Sequence, residues 1–307
     1  MIANPFVNAL FVPVAQRLLF VLLAGFGVVV VFNVRTLSGM FSSDAWIRYR
    51  SWLIIAPLFM VAIFLGRYSL VVLVTLLAFL ALSEFSRMAA LRERYRVMLL
   101  GLAVFTMGVT LLLRKYFLML PLAYFLVTTV VAILENNPKK AFSSAAQSLF
   151  AAVWINFSLA HVLLLAALPQ GEAVLLALAL SIGLSDVGAY CVGRALAALH
   201  FDKPKIADKI SPNKTYLGIS GHVLGAWVGL LVMWFALPWL SLKMLLLFGA
   251  VIGVSDSIGG FTLSMIKRSF GVKDAGSLIP GHGGILDRID SLLRVAVVSY
   301  YLLLVIL

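Results

Sequence analysis

LKMLLLFGAVIGVSDSIGGFTL (242–263), SMIKRSFGVKDAGSLIPGHGGILDRID (264–290) and SLLRVAVVSYYLLLVIL (291–307) follow one another at the end of the chain. A charged, glycine-rich stretch lies between two apolar runs. Each run is about as long as a bilayer crossing needs, roughly 17–25 residues. The alternation recurs upstream and predicts ten spans, at 11–33, 52–66, 68–84, 97–113, 116–134, 145–168, 173–193, 219–240, 242–263 and 291–307. The 307 residues are 63% hydrophobic, whereas a soluble domain is about 45–50% apolar. With a mean hydropathy of +1.09, the expected class is an all-α polytopic integral membrane protein without a soluble domain.

The second and third runs are short, separated by little more than Arg67, and predict a tight helical hairpin. Gln16 and Arg17 interrupt the start of the first run, which leaves an interfacial helix followed by a span as the alternative. The N-terminal sequence MIANPFVNALF lacks the basic region of a signal peptide, so the first run is expected to stay in place. Loop charge then sets orientation. Of the 24 Lys and Arg, 19 fall on the side of the motif loop and 5 on the other, in strict alternation. The positive-inside bias therefore puts both termini outside and the 264–290 loop in the cytoplasm. The net charge of +12 is spread over short loops between apolar runs, which points to anionic headgroups and nucleotide phosphates as partners and not to nucleic acid. The single Cys191 excludes an intrachain disulfide and reads as a small buried hydrophobe.

Within the charged stretch, Ser264, Lys267 and Arg268 are spaced i, i+3 and i+4 and share one helical face. Lys273 and Asp274 follow, then a Gly/Pro loop from Gly276 to Gly284, then Asp287 and Asp290 on a new helix. Bases able to clamp phosphates stand beside acids able to hold a divalent ion, the combination that phosphoryl and nucleotidyl transfer require. Acids are segregated too: all four Glu precede residue 173 and seven of eight Asp follow residue 185. Glu84, Glu93 and Glu135 are expected at span ends, paired with basic residues at headgroup level. Asp186 and Asp256 lie inside apolar runs in related contexts, IGLSD and IGVSD, and an ionisable group at that depth is a functional candidate by default. Between them, Ser211-Pro212 predicts an N-cap and first helical residue, with Lys214 and Thr215 beside the free N–H groups of a helix start. His161 and His222 read as packed core histidines, and Asp290 with Arg294 as a candidate i, i+4 pair. His282 is divided between loop structure and phosphate contact. No zinc spacing, G-x-S-x-G or Walker pattern occurs.

Ser264, Lys267, Arg268, Lys273, Asp274, Pro280, His282, Gly283, Gly284, Asp287, Arg288 and Asp290 together resemble the diagnostic motif of the CDP-diacylglycerol synthases (phosphatidate cytidylyltransferases). A second family segment is matched by Asp186, Ala189, Tyr190, Gly193, Arg194, Ser211, Pro212, Lys214, Thr215 and Gly218. The resemblance covers about 185 to 290; the N-terminal half shares only hydropathy. It divides the chain into N-terminal transmembrane helices, 1–170, and a catalytic transmembrane region, 171–307.

The resemblance implies transfer of the cytidylyl group of CTP to phosphatidic acid, giving CDP-diacylglycerol and pyrophosphate. The site would lie at the cytoplasmic face of a bacterial inner membrane. It implies catalytic roles for Asp287, Lys267, Ser264 and Asp290. Substrate contacts would come from Lys214, Ser211, Thr215, Arg268, Lys273, Asp274, His282, Gly283, Gly284 and Arg288, with the glycine-loop amides close to the pyrophosphate. Mg²⁺ on Asp256, Asp287 and Asp186 is the expected cofactor, K⁺ a candidate companion ion, and a homodimer a candidate assembly. Three positions depart from the pattern: Gly260 where the family places an acid, Leu217 and Leu263. Asp256, one turn before Gly260, is expected to supply the missing carboxylate. A cytidylyltransferase for another lipid phosphate, such as an isoprenoid, and a non-catalytic transporter or scaffold remain the alternatives.

Overall fold

The computed structural model describes residues 4–32, 40–41, 43–198, 205–212, 214–278 and 283–306. Among these, every named element is helical, and a lone antiparallel bridge joins Lys205 to Thr215. In chain order the helices are α1 (Phe11–Phe32), α2 (Asp44–Phe64), α3 (Arg67–Met88), α4 (Glu93–Leu112), α5 (Leu120–Glu135), α6 (Pro138–Ala151), α7 (Ser158–Ala166), α8 (Gly171–Ala198), α9 (Tyr216–Met233), α10 (Leu242–Ser269) and α11 (Leu286–Ile306). A π-helical segment, Ala152–Phe157, joins α6 to α7 into one crossing. Nine helices among the described residues are long and apolar enough to cross a membrane; Tyr49–Phe64 is a tenth, shorter one. They coincide with the ten runs read from the sequence. Such helices suit the bilayer because each satisfies its own backbone hydrogen bonds.

Local chemistry fixes the helix ends. Leu65 and Gly66 alone separate α2 from α3, with Gly66 at φ +98°, so the tight hairpin forms. Asn136 closes α5 in the left-handed conformation and Pro138 opens α6, a stop and a start suited to those residues. The first run is one continuous helix, α1, preceded by a short 3₁₀ turn at Pro5–Val7, and not an interfacial helix followed by a span.

The core is centred on α7. Its residues Ser158 to Leu165 are all buried, and it packs on α3, α4, α8 and α11. His161 is there as expected, its Nδ1 2.8 Å from the Phe157 carbonyl and its ring against Phe117, Phe157 and Tyr300. Contacts between loops respect the two sides. Asn8 donates to Glu172 and Trp239 to Gln170 at one end of the bundle. At the other end Arg92 pairs with Glu135, which also accepts from Tyr95 OH at 2.6 Å, and Glu84 of α3 meets the start of α11.

Candidate functional site

The 264–290 stretch begins as the last turn of α10. Gly271, at φ +71°, ends that helix: its N–H donates to the Arg268 carbonyl, and the Val272 N–H to the Lys267 carbonyl. This is the Schellman arrangement, and the left-handed residue favours glycine. The chain then doubles back to α11. Lys267 Nζ meets Asp287 Oδ1 at 2.6 Å, and Asp287 Oδ2 accepts from the N–H groups of Ala275 and Gly284, both at 2.9 Å. Asp287 thus ties the loop's two ends to α10. Gly283 allows it: at φ +79°, any Cβ there would fall 2.5 Å from Asp287 Oδ2.

A second carboxylate holds the same loop from a distance. Glu84, 1% exposed, accepts from the N–H of Ile285 at 3.0 Å and of Leu286 at 2.8 Å. An anion at a helix N-terminus satisfies donors that the helix cannot, and it lies favourably in the helix dipole. Gly276 and Gly284 wrap this carboxylate so closely that a Cβ on either would meet a Glu84 oxygen within 2.5 Å. The expected headgroup-level pairing of Glu84 is therefore corrected: it is a buried cap for α11. Glu93 makes the anticipated pair, with Arg96 at 3.6 Å, while Glu135 has its basic partner but is buried. Among the described loop residues, the amides of Ala275, Gly284, Ile285 and Leu286 are engaged by carboxylates. Pro280 and His282 lie outside the described residues.

The third part is built by glycines on α9. Gly221, Gly225 and Gly229 recur every fourth residue and turn one ridge toward α8. Added Cβ atoms would lie 2.7 Å from Ala189 Cα, 2.0 Å from the Leu184 carbonyl oxygen and 2.4 Å from Ser181 Cα. On α10, Gly253 approaches the backbone of Val223 in the same manner. Small residues at this spacing let membrane helices meet backbone to backbone. The close approach gathers Asp186 of α8, His222 of α9 and Asp256 of α10, each offering a donor atom within 4.8 Å of the others. His222 Nδ1 is 2.9 Å from Ser185 Oγ and 3.1 Å from Asp256 Oδ2. Asp256 is 1% exposed, and its Oδ1 is buried without a hydrogen-bond partner among the described residues. A buried acceptor left over in a cluster of two carboxylates and an imidazole suits a divalent cation. His222 is packed and hydrogen-bonded, as the sequence reading expects, and its partners are the acids and serine of this cluster.

Lys214 enters beside this cluster from the α8–α9 loop. Its Nζ lies 3.5 Å from the Ser257 carbonyl and 4.6 Å from the centre of the Phe261 ring. Burial pulls its ammonium below the ordinary lysine range, while Asp290, Asp186 and Asp256 pull back against that shift. Gly260 gives it room: a Cβ there would meet Lys214 Nζ at 2.2 Å and Asp290 Oδ2 at 3.7 Å. The space beside position 260 thus belongs to Lys214 and Asp290, while Asp256, one turn away, joins His222 and Asp186. Asp287 does not join that trio.

Other expected positions fall as follows. Ser264 Oγ donates to the Gly260 carbonyl within its own helix at 2.7 Å. Arg268, Lys273, Asp274 and Arg288 are exposed on the same end of the bundle. Arg294 donates to Thr262 Oγ1 at 2.7 Å and forms no ion pair with Asp290 among the described residues. Helix α9 opens four residues later than Ser211 suggests. Thr215 is its N-cap, accepting from the Gly218 N–H at 3.1 Å, while Ser211 accepts at its carbonyl from Lys214 N–H in a turn before it. Threonine caps nearly as well as serine, and Thr215 is itself extended, at φ −124° and ψ 158°, where it bridges Lys205.

Comparison with known proteins agrees with the resemblance. A model of the cytidylyltransferase family matches residues 46–306. The uncharacterized protein YnbB of Escherichia coli (strain K12) is 31% identical over 264 residues, covering 84% of this chain and 87% of that one. A phosphatidate cytidylyltransferase of Thermotoga maritima is 33% identical over 192 residues, 59% of this chain and 67% of its own. One of Bacillus subtilis is 42% identical over 123 residues, 39% of this chain and 43% of its own.

Proposed function

The chain belongs to the cytidylyltransferase family, and we propose that it transfers the cytidylyl group of CTP to phosphatidic acid in phospholipid biosynthesis. The observation that carries this reading is the meeting of Lys214, Lys267 and the acids Asp186, Asp256, Asp287 and Asp290 at one end of four packed membrane helices. In the reaction an oxygen of the lipid phosphate attacks the α-phosphorus of CTP. The bond from that phosphorus to the bridging oxygen breaks, pyrophosphate leaves, and CDP-diacylglycerol remains. Both reactants are anions, so their repulsion must be cancelled where they meet. Lys267, fixed by Asp287, and Lys214, beside Asp290, supply positive charge at defined points, and Arg268, Lys273 and Arg288 add more around them. A divalent cation, Mg²⁺ in the family's pattern, would be held by Asp256 and Asp186 with His222, and when bound neutralises phosphate charge. K⁺ is proposed beside it. The lipid would enter sideways from the bilayer, and loop charge favours the cytoplasmic face of a bacterial membrane.

Purified protein given CTP and phosphatidic acid should release one pyrophosphate per CDP-diacylglycerol. Product with an isoprenyl phosphate and none with phosphatidic acid would reassign the acceptor, an arm included because Lys214 fills the space at Gly260. No product with either overturns the reading. Lys267→Ala should lower turnover at least tenfold with unchanged expression, since a charge-assisted contact is worth about 1.5–3 kcal/mol.

A further inference from the structure

We propose that Asp186, His222 and Asp256 form a mixed nitrogen–oxygen site that binds a transition-type divalent cation, such as Mn²⁺, in preference to Mg²⁺. The inference rests on the preceding one only for the cation's use; the site follows from its own geometry. Three donors from three helices stand within 4.8 Å of one another. They are brought there by close backbone packing, Gly221 and Gly225 against α8 and Gly253 against α9. Asp256 Oδ1 is buried and has no hydrogen-bond partner among the described residues, so one strong acceptor is left for a ligand. The imidazole is restrained by Ser185, itself fully buried, 2.9 Å from Nδ1.

The nitrogen decides the selectivity. Mg²⁺ prefers oxygen donors in near-octahedral geometry and sheds water reluctantly. Replacing one oxygen by imidazole favours the first-row transition ions, Mn²⁺ being the weakest of them and still tolerant of carboxylates. The neighbouring cation does not compete for the same place. Lys214 Nζ occupies the space beside Gly260 next to Asp290, one helical turn from Asp256. Along a single turn of α10, one position faces an ammonium and the next a metal-type donor set.

The test is Mn²⁺ titration of the detergent-purified full chain, with free Mn²⁺ followed by its paramagnetic resonance signal. One Mn²⁺ should bind per chain, and Mg²⁺ should displace it at least about tenfold less well than Mn²⁺ itself. Loss of an outer-shell partner of a ligand typically costs about 10–100-fold in affinity, and loss of a ligand should cost no less. His222→Asn should thus weaken Mn²⁺ at least tenfold. His222→Asp should keep divalent binding while removing the preference for Mn²⁺ over Mg²⁺, which also shows that the variant folds. Wild-type affinity for Mn²⁺ in His222→Asn, no Mn²⁺ binding by the wild type, or equal Mg²⁺ and Mn²⁺ binding would each overturn the proposal. CTP turnover is scored separately. Mn²⁺ binding without turnover would leave the site and remove the proposed reaction, and turnover without a His222-dependent ion would do the reverse.

Discussion

The helices around α7 and those around α9 are packed by opposite means. In the first region bulky side chains fill the gaps: Leu82, Phe85, Leu99, Leu159 and Leu164 are all buried to 1% exposure or less. In the second, glycines at 188, 221, 225, 229 and 253 put backbone against backbone where the helices approach most closely. Cores filled by side chains tolerate exchange when volume is kept. A backbone contact has no side chain to rearrange. The protein places its three-donor cluster in the second kind of interface, where close helix axes bring the Cα atoms of Asp186, His222 and Asp256 near enough for their side chains to meet.

The sharpest way to break this contrast is Gly225→Val. Its Cβ would lie 2.0 Å from the Leu184 carbonyl oxygen, so α8 and α9 must separate. We expect a loss of about 3 kcal/mol or more, beyond the usual range for overpacking, seen as a lower unfolding temperature in detergent together with loss of CTP turnover. A folded, active variant would mean that the glycine ridge does not position Asp186 and His222.

Next in size is Glu84→Gln, which asks whether the first region contributes to the site at all. The substitution keeps volume and removes the charge that caps α11. Imperfectly satisfied buried donors cost about 1–3 kcal/mol. Thermal stability should fall by that amount and turnover several-fold, because Asp287 and Lys267 share the loop. Unchanged values in both would show that the loop holds itself. The smallest effect is expected at Gly101 of α4, where an added Cβ meets nothing within 4 Å. Gly101→Ala should stabilise by about 0.5–1 kcal/mol through helix propensity alone. Destabilisation there, measured by the same unfolding assay, would mean that glycines in the first region also serve as contacts.

The spans were legible because hydropathy and loop charge are local properties, readable run by run. The Lys267–Asp287 pairing was partly legible, since both residues belong to one unbroken motif of 27 residues. Two features were not. Glu84 meets its donors across 201 and 202 residues of chain, and nothing beside it in sequence announces a helix start. His222 stands in an apolar run, where a histidine usually packs, and its place beside Asp186 and Asp256 emerges only when α8 and α10 close on it. A signal for that closure was present in G-x-x-x-G-x-x-x-G at 221–229. The spacing announces a close partner without saying which helix it is.

Glu84 also imposes an order on synthesis. The chain emerges from its N-terminal end, and the amides that Glu84 caps are made 201 and 202 residues later. At about 5–20 residues per second, α3 waits roughly 10–40 s for α11. Until the last crossing is inserted, the Ile285 and Leu286 amides are not there for Glu84 to accept from, and the ring contact of Phe85 with Phe270 is made without that support. Completion of the final helix is therefore the step at which α3 receives the donors that its buried carboxylate is placed to accept.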